Sequence, residues 1–144
     1  MRTDQGFTLI ELIVTIAVVA IIAMIAAPSM SQLLVKQNLN KSTNELVHVL
    51  TEARVKAALD RKEIKVGFIA SIVDADLNWT PSGDAVLKPG SPTSIIFLPT
   101  GLVKDWASTN SSFIVCEKTS GSLSKTVSIS KMGTIQQVVE GTCS

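Results

Sequence analysis

The sequence predicts an α+β protein in which a long N-terminal helix, apolar in its first half and amphipathic in its second, packs on a small antiparallel β-sheet domain. Three observations carry this. The stretch from Leu12 to Val35 holds no charged residue. From its end, Val35, Leu39, Thr43, Leu46, Leu50, Ala53 and Ala57 recur at steps of three and four. After Arg61 the apolar residues fall into short runs separated by Gly, Pro, Asp and Ser, so helix comes first and strands follow.

The 144 residues and 15.3 kDa suit one compact domain with an appendage. A net charge of +1 and a pI of about 7.8 give no reason to expect a polyanion as partner. The mean hydropathy of +0.37 is high for a soluble protein, and most of the excess sits in the first thirty residues. Between Phe7 and Met30 the one charged side chain is Glu11. As a helix, the uncharged run of about 24 residues would be ~36 Å long, enough to cross a hydrocarbon core of ~30 Å.

Three readings compete for this segment. A cleaved secretory signal would have a basic start, a shorter core and a small-residue cut site after it. Here Met1–Gly6 carries Asp4 as well as Arg2, the core is too long, and a carboxylate stands near its start. A plain anchor explains the length but not Glu11, which costs roughly 2.5–3.5 kcal/mol near the centre of a membrane helix. A segment that lives first in a membrane and then among copies of itself explains both, and it is the reading adopted.

The residues that decide the matter are Gly6-Phe7-Thr8-Leu9-Ile10-Glu11. With the apolar helix behind them they resemble the processing site of type IV prepilins and type II secretion pseudopilins. The resemblance implies a pilin-like fold, a leader of residues 1–6, and cleavage between Gly6 and Phe7 by a membrane prepilin peptidase. Phe7 then becomes the N-methylated terminus. The spacing also has its own chemistry. Glycine leaves the scissile bond unobstructed, and cleavage places a cationic amine one helical turn from Glu11. Among staggered copies, the Glu11 carboxylate of one chain could meet the amine of its neighbour, since opposite charges in a low dielectric are tolerable as a pair and not singly. Glu11 is then a registry device for assembly; the alternative is that it snorkels towards the headgroups. Thr8 and Thr15 read as helix residues bonding back to carbonyls. Pro28 interrupts the helical pattern, and a kinked continuation is expected in preference to two separate helices.

Residues 7–30 thus form the membrane or filament-core segment, and residues 31–144 an amphipathic helical half plus a β-rich domain. The helix should end near Arg61. His48, the single histidine, lacks companions for a metal site and reads as an ordinary helix residue. Strands are expected at Ile64–Ala70, Ser94–Leu98, Ser112–Glu117, Thr126–Ser130 and Thr134–Val139. The last two flank Lys131-Met132-Gly133, a connection of hairpin length. Asp74–Pro92, rich in Asp, Gly, Pro and Ser, reads as a long loop or a short extra hairpin. Trp79 and Trp106 are either loop anchors on the core or exposed contact residues.

The extracytoplasmic placement that follows from the resemblance favours a disulfide between Cys116 and Cys143, against two separate buried thiols. It would close a loop of about 28 residues, worth roughly 3 kcal/mol, and pin the tail to a strand. Beyond the N-terminus the order of elements is similar to the GspH/FimT branch, and most of all to FimU-type minor pilins. The residues concerned are Asn44-Glu45-Leu46 to Ala53-Arg54, Ile96-Phe97-Leu98-Pro99-Thr100-Gly101, and Val127 to Ile135. DNA-binding members of the branch carry Gly-Arg-x-Arg near the C-terminal hairpin. Here Gly133-Thr134-Ile135-Gln136 has neither arginine, which argues against DNA, although Lys125 and Lys131 could form a minor basic spot.

The resemblance implies a minor pilin that primes a type IV pilus at or near its tip, with a secretion pseudopilin as the alternative and a DNA-binding transformation pilin as a further one. The implied partners are the major pilin, other minor pilins (or pseudopilins), the peptidase, the inner-membrane assembly platform, and the inner membrane before assembly. The implied topology is a single pass with the domain outside, then a place in a filament. No catalytic group, cofactor or metal site is expected: one histidine and scattered carboxylates form no converging set, and two cysteines are an incomplete ligand set. An uncleaved membrane receptor is the remaining class, distinguished by retention of Met1–Gly6.

Overall fold

The computed structural model describes residues 7–68, 72–106, 111–119 and 121–143, with residues 27 and 28 described by their backbone alone. The expected leader with Gly6 lies outside the described residues, as does the end of the strand expected at Ile64–Ala70. Helix α1 spans Leu9–Asp60 and is one element through residue 28; the Pro28 side chain, on which the expected kink depends, lies outside the described part. The chain forms two compact units, residues 1–34 and 35–144.

The first unit is helix with every described side chain exposed, including Leu9, Ile13, Val19 and Met24. An apolar surface of that extent is stable only against lipid or other apolar helices.

In the second unit α1 buries one stripe. Leu39, Thr43, Leu46, Leu50, Ala53 and Ala57 are all inside, as the three–four spacing requires, and Val35 at the near end is half-buried. Ser42, which the stripe omitted, is buried too. Its hydroxyl accepts the Ser82 amide at 2.9 Å, and the Ser82 hydroxyl reaches Glu45 at 3.1 Å. A buried serine is tolerable because it is bonded. The helix stops where Arg61 takes a left-handed backbone, φ 52°.

Seven strands follow: β1 (Ile64–Gly67), β2 (Leu77–Asn78), β3 (Val86–Leu87), β4 (Ser94–Phe97), β5 (Ser112–Cys116), β6 (Ser124–Ser128) and β7 (Val139–Gly141). They make two sheets, β2-β1-β4 and β3-β5-β6-β7, antiparallel except for the β1–β2 pair. The long helix with a small antiparallel domain is the fold class expected, but its strands divide over two sheets.

Asp74–Pro92 is neither a free loop nor a hairpin. It contributes β2 to one sheet and β3 to the other, each two residues long and too short to show an alternating pattern. Asp76 closes the first connection: its carboxylate accepts the Lys65 amide at 2.9 Å, and its own amide returns a bond to Lys65 O at 2.9 Å. Gly67 lets the strands approach closely there, since a Cβ would stand 2.6 Å from Asn78 Oδ1 and make that side chain shift.

The expected C-terminal strand is also displaced. Ile129 and Ile135 form one bridge around the 131–133 turn, and regular pairing resumes only with Thr126–Val139. Between these points three residues, Gln136 to Val138, oppose two, Val127 and Ser128. The extra residue is a bulge, and it moves the paired segment towards the terminus.

The core joins Leu46, Leu50, Ala53 and Ala57 of α1 to Ile64, Val66, Phe97, Phe113, Val115, Val127 and Ile129. Phe68 centres it, 4.6 Å from Phe113 and 6.3 Å from Trp79 between ring centroids. Trp79 is 3 % exposed and Trp106 packs against the core from outside, so both are loop anchors.

Candidate functional site

The candidate site of the first unit is the start of α1. Thr8 and Glu11 form a reciprocal pair: Glu11 Oε2 accepts the Thr8 amide at 3.0 Å and the Thr8 hydroxyl at 2.8 Å, while the Glu11 amide donates to Thr8 Oγ1 at 3.3 Å. This is a capping box, with Thr8 as N-cap and Glu11 at the third helical position. The reading of Thr8 as a helix residue bonding back to a carbonyl is therefore corrected. Thr15 does bond back, to Leu12 O at 2.8 Å. The signal was present in the sequence as Thr-x-x-Glu directly before an apolar run.

Glu11 thus sits among apolar neighbours with two hydrogen bonds from its own chain. Phe7 precedes the cap and is fully outside the helix, with its side chain exposed. From Leu9 to Ala26 the helix is long and apolar enough to cross a bilayer. A membrane-length helix, a carboxylate in its first turn and an aromatic just outside it are what the structure places together.

In the second unit, Cys116 at the end of β5 and Cys143 in the tail are joined by a disulfide, with their Cα atoms 5.8 Å apart. The next residue, Glu117, is 8 % exposed. Its Oε1 accepts the amides of Ser122 at 2.8 Å and Leu123 at 3.3 Å, so a buried carboxylate organises the β5–β6 turn through backbone donors.

The second pair of turns meets over α1. Gly101 (φ 78°) and Gly133 (φ 71°) both lie against the Arg54 side chain, and a Cβ on Gly133 would collide with the Gly101 carbonyl. The Val103 amide donates to Lys131 O at 3.1 Å and ties the two turns together. Sequence reasoning named both turns separately; nothing in their composition shows that they touch.

His48 is exposed and faces Glu52 at 3.8 Å on the next turn. Lys125 is paired with Glu140 at 3.3 Å, whereas Lys131 lines a different hollow beside Lys104 and Trp106, so the two lysines form no joint spot. Glu63 holds Lys104 at 2.8 Å, and this hydrogen bond raises the ammonium above the ordinary lysine range. Asp76, bonded by the Lys65 amide with Lys62 3.6 Å away, is held below the ordinary aspartate value. Among the described residues no group of three His, Cys, Asp or Glu side chains could hold a metal.

Residues 1–27 match a family described as the prokaryotic N-terminal methylation motif. The fold is similar to the type IV minor pilin FimU of Pseudomonas aeruginosa in two crystal forms. One shares 17 % identity over 70 % of this chain and 88 % of that chain, with a TM-score of 0.55. The other shares 23 % identity over 68 % and 90 %, with a TM-score of 0.48, and the fold likeness rests on the first. No curated protein matches the sequence. Motif at one end and fold at the other make the chain similar to type IV minor pilins of the FimU kind.

Proposed function

We propose that the chain is a minor subunit of a type IV pilus, anchored in the inner membrane by its first unit and then drawn into a filament where it primes assembly at or near the tip. The observation that carries this is the fusion of a methylation-motif helix start to a FimU-like domain. Its role is structural, and it is built to bind copies and relatives of itself.

The steps follow from the residues. Residues 1–6 are the leader, cut by prepilin peptidase between Gly6 and Phe7, and Phe7 is N-methylated. Extraction from lipid exchanges acyl contacts for helix–helix contacts along the 7–30 segment, with the backbone loosened at Pro28. Glu11, already oriented by Thr8, presents its carboxylate to the amine of a neighbouring chain, which compensates a charge that hydrocarbon alone would not. The domain, outside the membrane and stapled by Cys116–Cys143, contacts other minor subunits. DNA binding is not supported, because the turn at Gly133 carries Thr134 and Gln136 where DNA-binding members carry arginine.

Deletion of the gene with complementation, scored by sheared surface pili and electron microscopy, tests the reading. Loss of pili restored by the intact gene supports a priming pilin. Normal pili with failed secretion would transfer the chain to a type II secretion pseudopilus.

A further inference from the structure

The chain carries Asn-x-Ser/Thr at three places, Asn40-Lys41-Ser42, Asn78-Trp79-Thr80 and Asn110-Ser111-Ser112, each with a middle residue other than proline. In exported proteins this pattern accepts a sugar on the asparagine amide. The fold treats the three unequally. Ser42 is fully buried on α1 and its hydroxyl accepts the Ser82 amide, so the first pattern is closed. Asn110 lies outside the described residues. The second pattern is open.

From residue 76 to residue 80 exposure alternates. Asp76, Asn78 and Thr80 are exposed, whereas Leu77 packs against the core and Trp79 is inside it. A period of two thus sets the acceptor amide and the hydroxyl side by side on one face, with a carboxylate before them. Neither the Asn78 amide nor the Thr80 hydroxyl makes a side-chain hydrogen bond among the described residues. Opposite Asn78 in the β1–β2 register stands Gly67, which has no side chain to cover it. The segment is also weakly held. β2 is the outer strand of its sheet and two residues long. The Trp79 indole Nε1 is buried without a hydrogen-bond partner, which offsets part of what anchoring that ring contributes. Such an edge opens locally at less cost than the core strands, so residues 76–80 can bend into an enzyme.

We propose that Asn78 is N-glycosylated, an inference that rests on the extracytoplasmic placement proposed above. The donor is an oligosaccharide carried on an isoprenoid diphosphate, and the catalyst is a membrane oligosaccharyltransferase. Asn78 Nδ2 bonds to the anomeric carbon as the bond from that carbon to the diphosphate oxygen breaks. The diphosphate leaves with the electron pair, and Nδ2 gives up one proton to a base of the transferase. The glycan then covers the open edge of β2, whose unpaired backbone groups otherwise invite strand addition.

The test expresses the full chain in bacteria that carry such a transferase and its donor. Mass spectrometry reads the tryptic peptide 66–88, in which Asn78 is the one asparagine. A glycan mass on that peptide is expected. It should be lost in Asn78→Gln and Thr80→Ala and kept in Thr80→Ser and Asn40→Gln, all changes at exposed side chains. The Cys116–Cys143 bond reports that the domain has reached an oxidising compartment. A formed disulfide with Asn78 bare overturns the glycan alone, as does a glycan on Asn40 or Asn110 in its place. A glycan that persists in Thr80→Ala overturns the reading of the pattern. Free cysteines overturn the extracytoplasmic placement, and the glycan falls with it.

Discussion

The capping role of Glu11 and the pairing role proposed for it can be separated by substitution. Glutamine at the third helical position still accepts the Thr8 amide, because a capping box works with Glu or Gln. It carries no charge to meet a neighbouring amine. Glu11→Gln should therefore keep the first turn as protected from amide exchange as the wild type, yet enter filaments as poorly as Glu11→Ala. Normal assembly of the Glu11→Gln chain would remove the charge-pairing step and leave Glu11 a cap alone. Asp76 makes a different prediction. Its carboxyl is held below the ordinary value by the Lys65 amide, so its contribution is present above pH ~4 and is lost as pH falls through the lowered value. Acid should loosen the β1–β2 connection in the wild type. Asp76→Asn should be loosened already at neutral pH, with a flatter acid response, read by exchange of the Lys65 and Asp76 amides.

At the scale of elements, the helical stripe and the two glycine turns support the domain in unlike ways. Leu46 is fully buried among strand residues, so Leu46→Ala leaves a cavity and should cost about 2–5 kcal/mol in thermal or chemical unfolding. Gly133 fills no volume. Its positive φ and its closeness to the Gly101 carbonyl mean that even one methyl strains the backbone, so Gly133→Ala should cost more than about 1 kcal/mol. The same change at Gly90, where φ is positive but no atom lies within 4 Å of the added Cβ, carries the backbone strain without the collision and should cost less. Comparing the two separates backbone strain from steric contact. A result in which Gly90→Ala is the more damaging would show that the turn-on-turn contact over Arg54 is unimportant.

For the whole molecule, the disulfide is the long-range tie. Cys116 and Cys143 are 27 residues apart in sequence, and their bond holds the tail beside β5, two strands away from β7 in the sheet order. Replacing both by serine should lower stability by roughly 2–4 kcal/mol. Because β7 is exposed along its length and paired on one side to β6, its amides should lose protection before those of β5. At the other end, the cleavage proposed between Gly6 and Phe7 predicts that Gly6→Leu leaves residues 1–6 attached in cells with the peptidase, seen as retention of their mass, and abolishes incorporation. An uncleaved receptor would tolerate that change without effect.

Much of this was legible in the sequence. The apolar run, the three–four stripe to Ala57, the N-terminal methylation motif and the strands at 64, 94 and 112 rest on local periodicity or a contiguous motif, which the chain carries without reference to its fold. The capping role of Thr8 was equally local and was readable from its spacing to Glu11. Other features were decided by residues distant in sequence. Leu77-Asn78 and Val86-Leu87 become strands only because β1 and β5 offer them edges, and two residues have no period of their own. The bulge before Val139 arises from fitting the tail to β6, and the contact of Gly101 with Gly133 over Arg54 needs three separate segments in one place. Local pattern determined the apolar helix and the longer elements; the pairing of distant edges, which burial of a common core enforces, decided the short strands and where the turns of the domain were brought together.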